Sequence, residues 1–150
     1  MSITEEVEVL RRLPLFQRIE PRRLKLLAFT SERMVFQDGT ALMQQGDPGD
    51  SAYIVLAGEA DVFVSTPNGE LKVATLGVNE IIGEIAILID VPRTATVRAS
   101  GQLTTLRISK DHFFRLMTEV PEMGIEVMKE LARRLERTTA DLREARASAA

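Results

Sequence analysis

The chain has no cysteine and no tryptophan, a single tyrosine and a single histidine, and no apolar run near the length of a bilayer crossing. Without cysteine there is no disulfide, no thiolate nucleophile and no cysteine-bound zinc, and the composition fits a reducing compartment, so the expected location is cytoplasmic. One histidine, His112, with no second histidine or cysteine to work with, argues against metal chemistry. It falls in the first turn of an expected helix and reads as a surface or boundary residue. The stretch Met1-Ser2-Ile3-Thr4-Glu5-Glu6 has neither a basic start nor an apolar core, so the chain reads as soluble and unexported, with no membrane segment. An excess of one charge is also missing: 19 basic and 22 acidic residues leave a net charge of −3. That balance lacks the basic stripe of a nucleic-acid surface, and direct DNA binding is not expected.

What is present is enough for one packed unit: 150 residues, 45% hydrophobic, read as a single domain over 1–150. Residues 1–30 are helical in period, with Val7, Leu10, Leu13, Leu24, Leu27 and Ala28 spaced by three and four and with Pro14 and Pro21 as breaks. Over 31–108 the pattern changes to short apolar or alternating runs, punctuated by Asp38-Gly39, Gly46-Asp47-Pro48-Gly49-Asp50, Gly58, Pro67-Asn68-Gly69, Gly77 and Gly101. Runs 51–57 and 61–65 read as two strands joined through Gly58-Glu59, and 71–75 returns after an Asn68-Gly69 hairpin. Those joints predict an antiparallel jelly roll. Residues 109–150 return to helix, with N-cap candidates at Ser109-Lys110-Asp111 and a long final helix starting near Pro121. The fold class is therefore mainly β, an antiparallel β-roll with N-terminal helices and a long C-terminal helix.

The segment 83–99 carries the chemistry. Gly83-Glu84 precede a short apolar run, Ile85 to Ile89, in which a helix of one or two turns aims its free N–H groups at an anion that Gly83 lets approach. Nine residues after Glu84, beyond a turn at Asp90 and Pro92, Arg93 precedes the alternating Thr94, Thr96 and Arg98 of an expected strand. A helix start, an arginine fork and two hydroxyls then converge on one phosphate. Glu84 beside that phosphate requires a donor, and a hydroxyl on the same ligand supplies it. A ribose phosphate meets both demands.

Gly83-Glu84, the short apolar helix and Pro92-Arg93-Thr94-Ala95-Thr96-Val97 resemble the phosphate-binding cassette of the cyclic nucleotide-binding domain family. The spacing is similar to the eukaryotic kinase and channel version. The resemblance implies that Glu84 accepts from the ribose 2′-hydroxyl, that Arg93 pairs with the cyclic phosphate, and that Thr94 and backbone amides near Ile85 and Ala86 complete the cradle. Leu13-Pro14-Leu15-Phe16 with the leucine-rich helix after it is similar to the family's N-terminal helical part. Gly46, Gly58, Gly77 and Gly83 fall where the family places turn glycines.

In the last helix Ile125, Met128, Ala132, Leu135, Thr139 and Leu142 step by three and four, a heptad-like seam that either helix pairing or burial against the roll produces. Residues 132–139, Ala-Arg-Arg-Leu-Glu-Arg-Thr-Thr, are similar to the dimer helix of the bacterial catabolite activator. Carried over, Thr138 contacts the base in its own subunit and Thr139 the base held by a partner subunit. Read alone, the pair is solvated or bonded to its own helix. No helix-turn-helix follows Leu142 within these 150 residues.

The resemblance implies a sensor and not an enzyme, with cAMP favoured over cGMP and no other cofactor. Its expected partner is a second copy through the C-terminal helix, or an effector protein or domain. The alternative is a structural protein-interaction domain with a vestigial nucleotide pocket.

Overall fold

The computed structural model describes residues 3–149; Met1, Ser2 and Ala150, the ends of the expected 1–150 unit, lie outside the described residues. The N-terminal period folds as α1 (Ile3–Arg11), a 3-10 turn (Pro14–Phe16) and α2 (Pro21–Thr30). The turn and α2 each begin at a proline, whose missing N–H costs nothing at a helix start.

Six strands follow: β1 (Glu32–Phe36), β2 (Ala41–Met43), β3 (Ser51–Thr66), β4 (Gly69–Leu76), β5 (Ile81–Ile82) and β6 (Thr96–Ser109). A short helix, α3 (Glu84–Leu88), lies between β5 and β6, and α4 (Lys110–Glu119) and α5 (Pro121–Ala149) close the described chain. Every pairing is antiparallel, in the order β1-β6-β3-β4, with β2 on β6 and β5 on β3. The antiparallel roll with flanking helices stands as expected.

Two expected joints are not turns. The runs 51–57 and 61–65 form the one continuous strand β3, and Gly101 lies inside β6. Gly58 instead makes a bulge: its φ is +88, the register against β6 shifts on both sides of Ala57, and a Cβ there would collide with the carbonyl of Gln102. One extra residue flips the alternation of a strand. Before the bulge Tyr53 and Val55 face the roll interior while Ala52 and Ile54 face the helices; after it Ala60 and Val62 face the interior.

The core divides accordingly. Outside the roll, Ile54, Leu106 and Ile108 pack with Leu10, Phe16 and Leu24 of the N-terminal helices and with Phe113, Met123 and Val127 of α4 and α5. Inside it, Tyr53, Val55, Leu76, Ile82, Val97 and Leu103 form a second cluster beside Met43 and Val62.

Ser109 caps α4, its hydroxyl accepting from the His112 N–H and pairing with His112 Nδ1, which gives the half-buried histidine a structural partner. Helix α5 has two faces. Met123 and Val127 are buried with Leu131 beside them, while Ile125, Met128, Leu135 and Leu142 of the seam are exposed, Met128 at 61% and Leu135 at 69%. Burial against the roll is therefore not what spaces the seam. Among the described residues no helix is long and apolar enough to cross a membrane.

Candidate functional site

The pairing of Tyr53 and Ile54 with Ile82 and Ile81 delivers the chain to Gly83, whose φ of +86 turns it into α3. Glu84 is the first residue of that helix and is 2% exposed. On the return path Asp90 has φ +53, and the backbone of residue 93 is fastened to the β2–β3 loop from both sides. Arg93 N–H donates to the Asp47 carbonyl at 2.7 Å, and Gly46 N–H donates to the Arg93 carbonyl at 2.9 Å.

The Arg93 side chain is 5% exposed and already in use. Nη1 donates to the Gly83 carbonyl at 2.9 Å and Nη2 to the Ser51 carbonyl at 2.8 Å, with Asp50 at 3.9 Å. Arg107 holds Asp50 in turn and also pairs with Glu32. Gly83 is needed for this arrangement: the guanidinium fills the space where a Cβ would stand, so the close approach this glycine permits is first that of Arg93.

Gly83, Glu84, Ile85, Ala86, Arg93 and Thr94 all line one cavity of about 190 Å³, floored by Met43, Val62, Leu76, Ile82 and Val97. The cassette expected from contiguous sequence is assembled in space. Thr96 is not part of it; its buried hydroxyl accepts from the Gln45 N–H. Thr138 and Thr139 do not line it either. Thr138 lies in an adjoining groove, and the Thr139 hydroxyl donates to the Leu135 carbonyl at 2.9 Å, the helix-bonded alternative.

A residue that motif reading missed completes the wall. Arg134 of α5 donates from Nη1 to Glu84 Oε1 at 2.8 Å and from Nη2 to the Ile81 carbonyl, and its Nε lies 3.7 Å from Glu130. Arg137, three residues on, pairs with Glu80 at 3.2 Å. Two ion pairs thus fasten α5 to the segment carrying β5 and α3. The only sequence signal for Arg134 is its period, since it continues the inward line 123-127-131 of α5.

Burial pushes the Glu84 carboxyl above the usual carboxylate range, opposed by the positive charges of Arg134 and Arg93. Burial likewise pulls Arg93 below the usual arginine value. Arginine nonetheless stays charged, so the cavity presents a fixed cation opposite a carboxylate on an apolar floor. Such a site suits a ligand with an anion at one end and a hydroxyl at the other. Among the described residues no group of three or more potential ligands is placed to hold a metal ion.

Comparison with known proteins gives the same direction. The family model for the cyclic nucleotide-binding domain matches residues 33–120. A cAMP-dependent protein kinase regulatory subunit of Blastocladiella emersonii is 37% identical over 109 residues, covering 72% of this chain and 27% of the subunit. A CRP-like cAMP-activated global transcriptional regulator of Mycobacterium tuberculosis is 28% identical over 136 residues, covering 90% of this chain and 61% of the regulator. The chain thus spans less than two thirds of the length of either relative. The regulatory domain of Toxoplasma gondii PKA, solved with cAMP, superposes with a TM-score of 0.74 at 25% identity, over 85% of this chain and 50% of that one. With the roll, the cassette cavity and the matched segment in agreement, this chain belongs to the cyclic nucleotide-binding domain family.

Proposed function

We propose that residues 1–150 act as one sensor of a 3′,5′-cyclic nucleotide, with cAMP favoured over cGMP, and that occupancy is transmitted through α5. In this reading Arg93, Thr94 and the backbone amides at Ile85 and Ala86 receive the cyclic phosphate beside Gly83, and Glu84 accepts from the ribose 2′-hydroxyl. The observation that carries it is the ion pair between Glu84 and Arg134. A ligand hydroxyl that donates to Glu84 meets a carboxylate already held by α5, so binding and the position of α5 share one residue. The ligand shifts α5 only by its difference in affinity for the two arrangements.

The preference for cAMP is supported by the relatives, whose names specify cAMP, and by Thr138 beside the cavity. The exposed seam of α5 supports pairing with a second copy, in which Thr139 faces the partner's base, or docking of an effector. The role is that of a binding module in the cytoplasm, with no cofactor beyond the nucleotide and no direct contact with DNA.

Titration of nucleotide-stripped protein with cAMP and cGMP by calorimetry, with hydrogen exchange of α5 read in parallel, tests both halves. Saturable binding tighter for cAMP, with a change in α5 exchange, is the expected result. Binding without any change in α5 removes the transmission step. The engagement of Glu84 and Arg93 within the protein favours a second reading, a structural protein-interaction domain with a vestigial nucleotide pocket. No heat with either nucleotide selects that reading.

A further inference from the structure

Helix α2 turns Leu24, Leu27 and Ala28 into the outer core. Its opposite face carries Arg22, Lys25, Leu26 and Phe29, at the three- and four-residue steps that bring side chains together on a helix surface. Leu26 is 63% exposed and Phe29 75%, the highest exposure of any large apolar side chain among the described residues. The helix contains three basic residues and no acidic one. Around it, residues 11–33 hold seven basic and two acidic residues, a net charge of +5, so the rest of this chain of net −3 carries −8. Arg23 is held by Glu119, and Arg22 reaches only Glu20, at 3.9 Å between exposed side chains. Among the described residues Lys25 and Arg115, which faces Leu26 from α4, have no partner.

The charges are placed against the helix itself. Arg22 and Arg23 stand in the first turn of α2, where the positive end of the helix dipole repels cations, and no side chain caps that end. The sequence thus accepts a loss of stability on the same face where it leaves two large apolar side chains in water. Both features become favourable against a surface that is anionic outside and apolar just beneath. We propose that the outward face of α2 docks this chain on an anionic lipid surface. Leu26 and Phe29 enter the boundary of the acyl chains, and Arg22, Lys25 and Arg115 meet the negative headgroups. A partner helix fits the face less well. The groove between α2 and α4, lined by Leu26, Leu27 and Leu116, measures only about 110 Å³, and Phe29 stands outside it, so the face is a ridge. None of these residues lines the cassette cavity, so docking leaves the nucleotide site open and does not depend on it. The acidic remainder of the chain is repelled by the same lipids, which orients the docked protein.

Cosedimentation with extruded vesicles tests this, using phosphatidylcholine alone and phosphatidylcholine with about 30% phosphatidylserine. The parent chain is expected to bind the mixed vesicles and not the neutral ones, and to be released progressively by salt. Phe29→Ser is expected to weaken binding roughly ten-fold or more, the usual worth of burying one aromatic side chain. The double variant Arg22→Glu, Lys25→Glu is expected to lose binding by about a hundred-fold or more. Because it replaces cations with carboxylates near the start of α2, it is also expected to melt about 1–3 °C higher than the parent. Loss of binding together with a gain in stability separates a docking role from a structural one. Absence of binding by the parent to the mixed vesicles overturns the proposal and leaves the face to an acidic segment of another protein. Equal binding to both vesicle types overturns it, as does parent-like binding by either variant.

Discussion

Arg134 Nη1 stands 2.8 Å from Glu84 Oε1, joining residues 50 positions apart and fastening the long helix α5 to the first residue of the short helix α3. The carboxylate is almost fully buried and the guanidinium partly so, which makes removal of either partner far more costly than the loss of an exposed pair.

Removal of the arginine gives a pH signature. Burial already raises the Glu84 pKa, and Arg134→Ala removes the largest influence opposing it. A carboxyl whose folded-state pKa lies above its unfolded value keeps its proton in the folded state where the unfolded chain has released it. Stability then falls as pH rises from the ordinary carboxylate range through the raised pKa. Arg134→Ala is therefore expected to lose melting temperature relative to the parent as pH rises towards neutrality, and Glu84→Gln in that background is expected to abolish the slope. Thermal unfolding over a pH series checks this; a constant offset at every pH rules the coupling out.

Arg93 serves the fold before it serves a ligand. Arg93→Ala leaves the Gly83 and Ser51 carbonyls without their donors, at about 1–3 kcal/mol of stability. It is expected to weaken cyclic nucleotide binding by roughly 2–5 kcal/mol, the usual cost of removing one partner of a buried charged pair. Arg93→Lys keeps the charge and loses the fork, so it is expected to fall between. Calorimetry beside urea unfolding separates the two effects, and an Arg93→Ala protein that binds like the parent excludes the phosphate clamp.

Gly83→Ala tests the same clamp without touching a charge. The substitution places a Cβ against Arg93 Nη1 and 2.9 Å from Met43 Cε, at a φ that costs an L-residue roughly 1–2 kcal/mol. The expected outcome is a folded protein of reduced stability whose nucleotide affinity drops because Arg93 is displaced. Unchanged affinity in calorimetry would show that the guanidinium position does not matter for binding.

The α5 seam predicts a change in association. Leu135→Glu introduces like charges into a paired seam and is expected to abolish any dimer, whereas Thr139→Leu replaces its polar member and is expected to strengthen pairing. Because the Thr139 hydroxyl is bonded to Leu135 and lies outside the cassette cavity, a change in cAMP affinity on Thr139→Leu is expected only where copies pair. Sedimentation velocity of the three proteins reads this, and identical profiles count against the seam as an interface.

The cassette was legible because its parts are contiguous: the glycine, the acid, the short apolar run and the arginine form one stretch that folds back on itself. Helices showed through their period, and the β3–β4 hairpin through Pro67-Asn68-Gly69, although its turn pair is Pro67-Asn68 and Gly69 already opens β4. The continuity of β3 did not show. A glycine between two apolar runs looks the same whether it turns the chain or bulges a strand, and the choice is made by Gln102 and Leu103 on the neighbouring strand. Arg134 was hidden for a related reason, being an ordinary helix arginine until β5 and α3 are packed beside it. At Thr139 the competing partner was always one turn away along the same helix, and the hydroxyl took it.

The ladder between β3 and β6 runs from Ser51 opposite Ser109 to Phe63 opposite Thr96, so β4, β5, α3 and Arg93 all lie inside the loop it closes. One of the two carbonyls that anchor Arg93 belongs to Ser51, at the end of the ladder that pairs last along the chain. During synthesis the cassette therefore cannot settle until residue 109 has left the ribosome, and pairing across so long a loop is slow. Until then the N-terminal helices also lack Ile108 and Phe113, against which they pack, so the chain passes through a stage in which neither they nor the cassette are complete. A ligand that binds the finished cavity and not the unfinished chain favours departure from that stage by mass action.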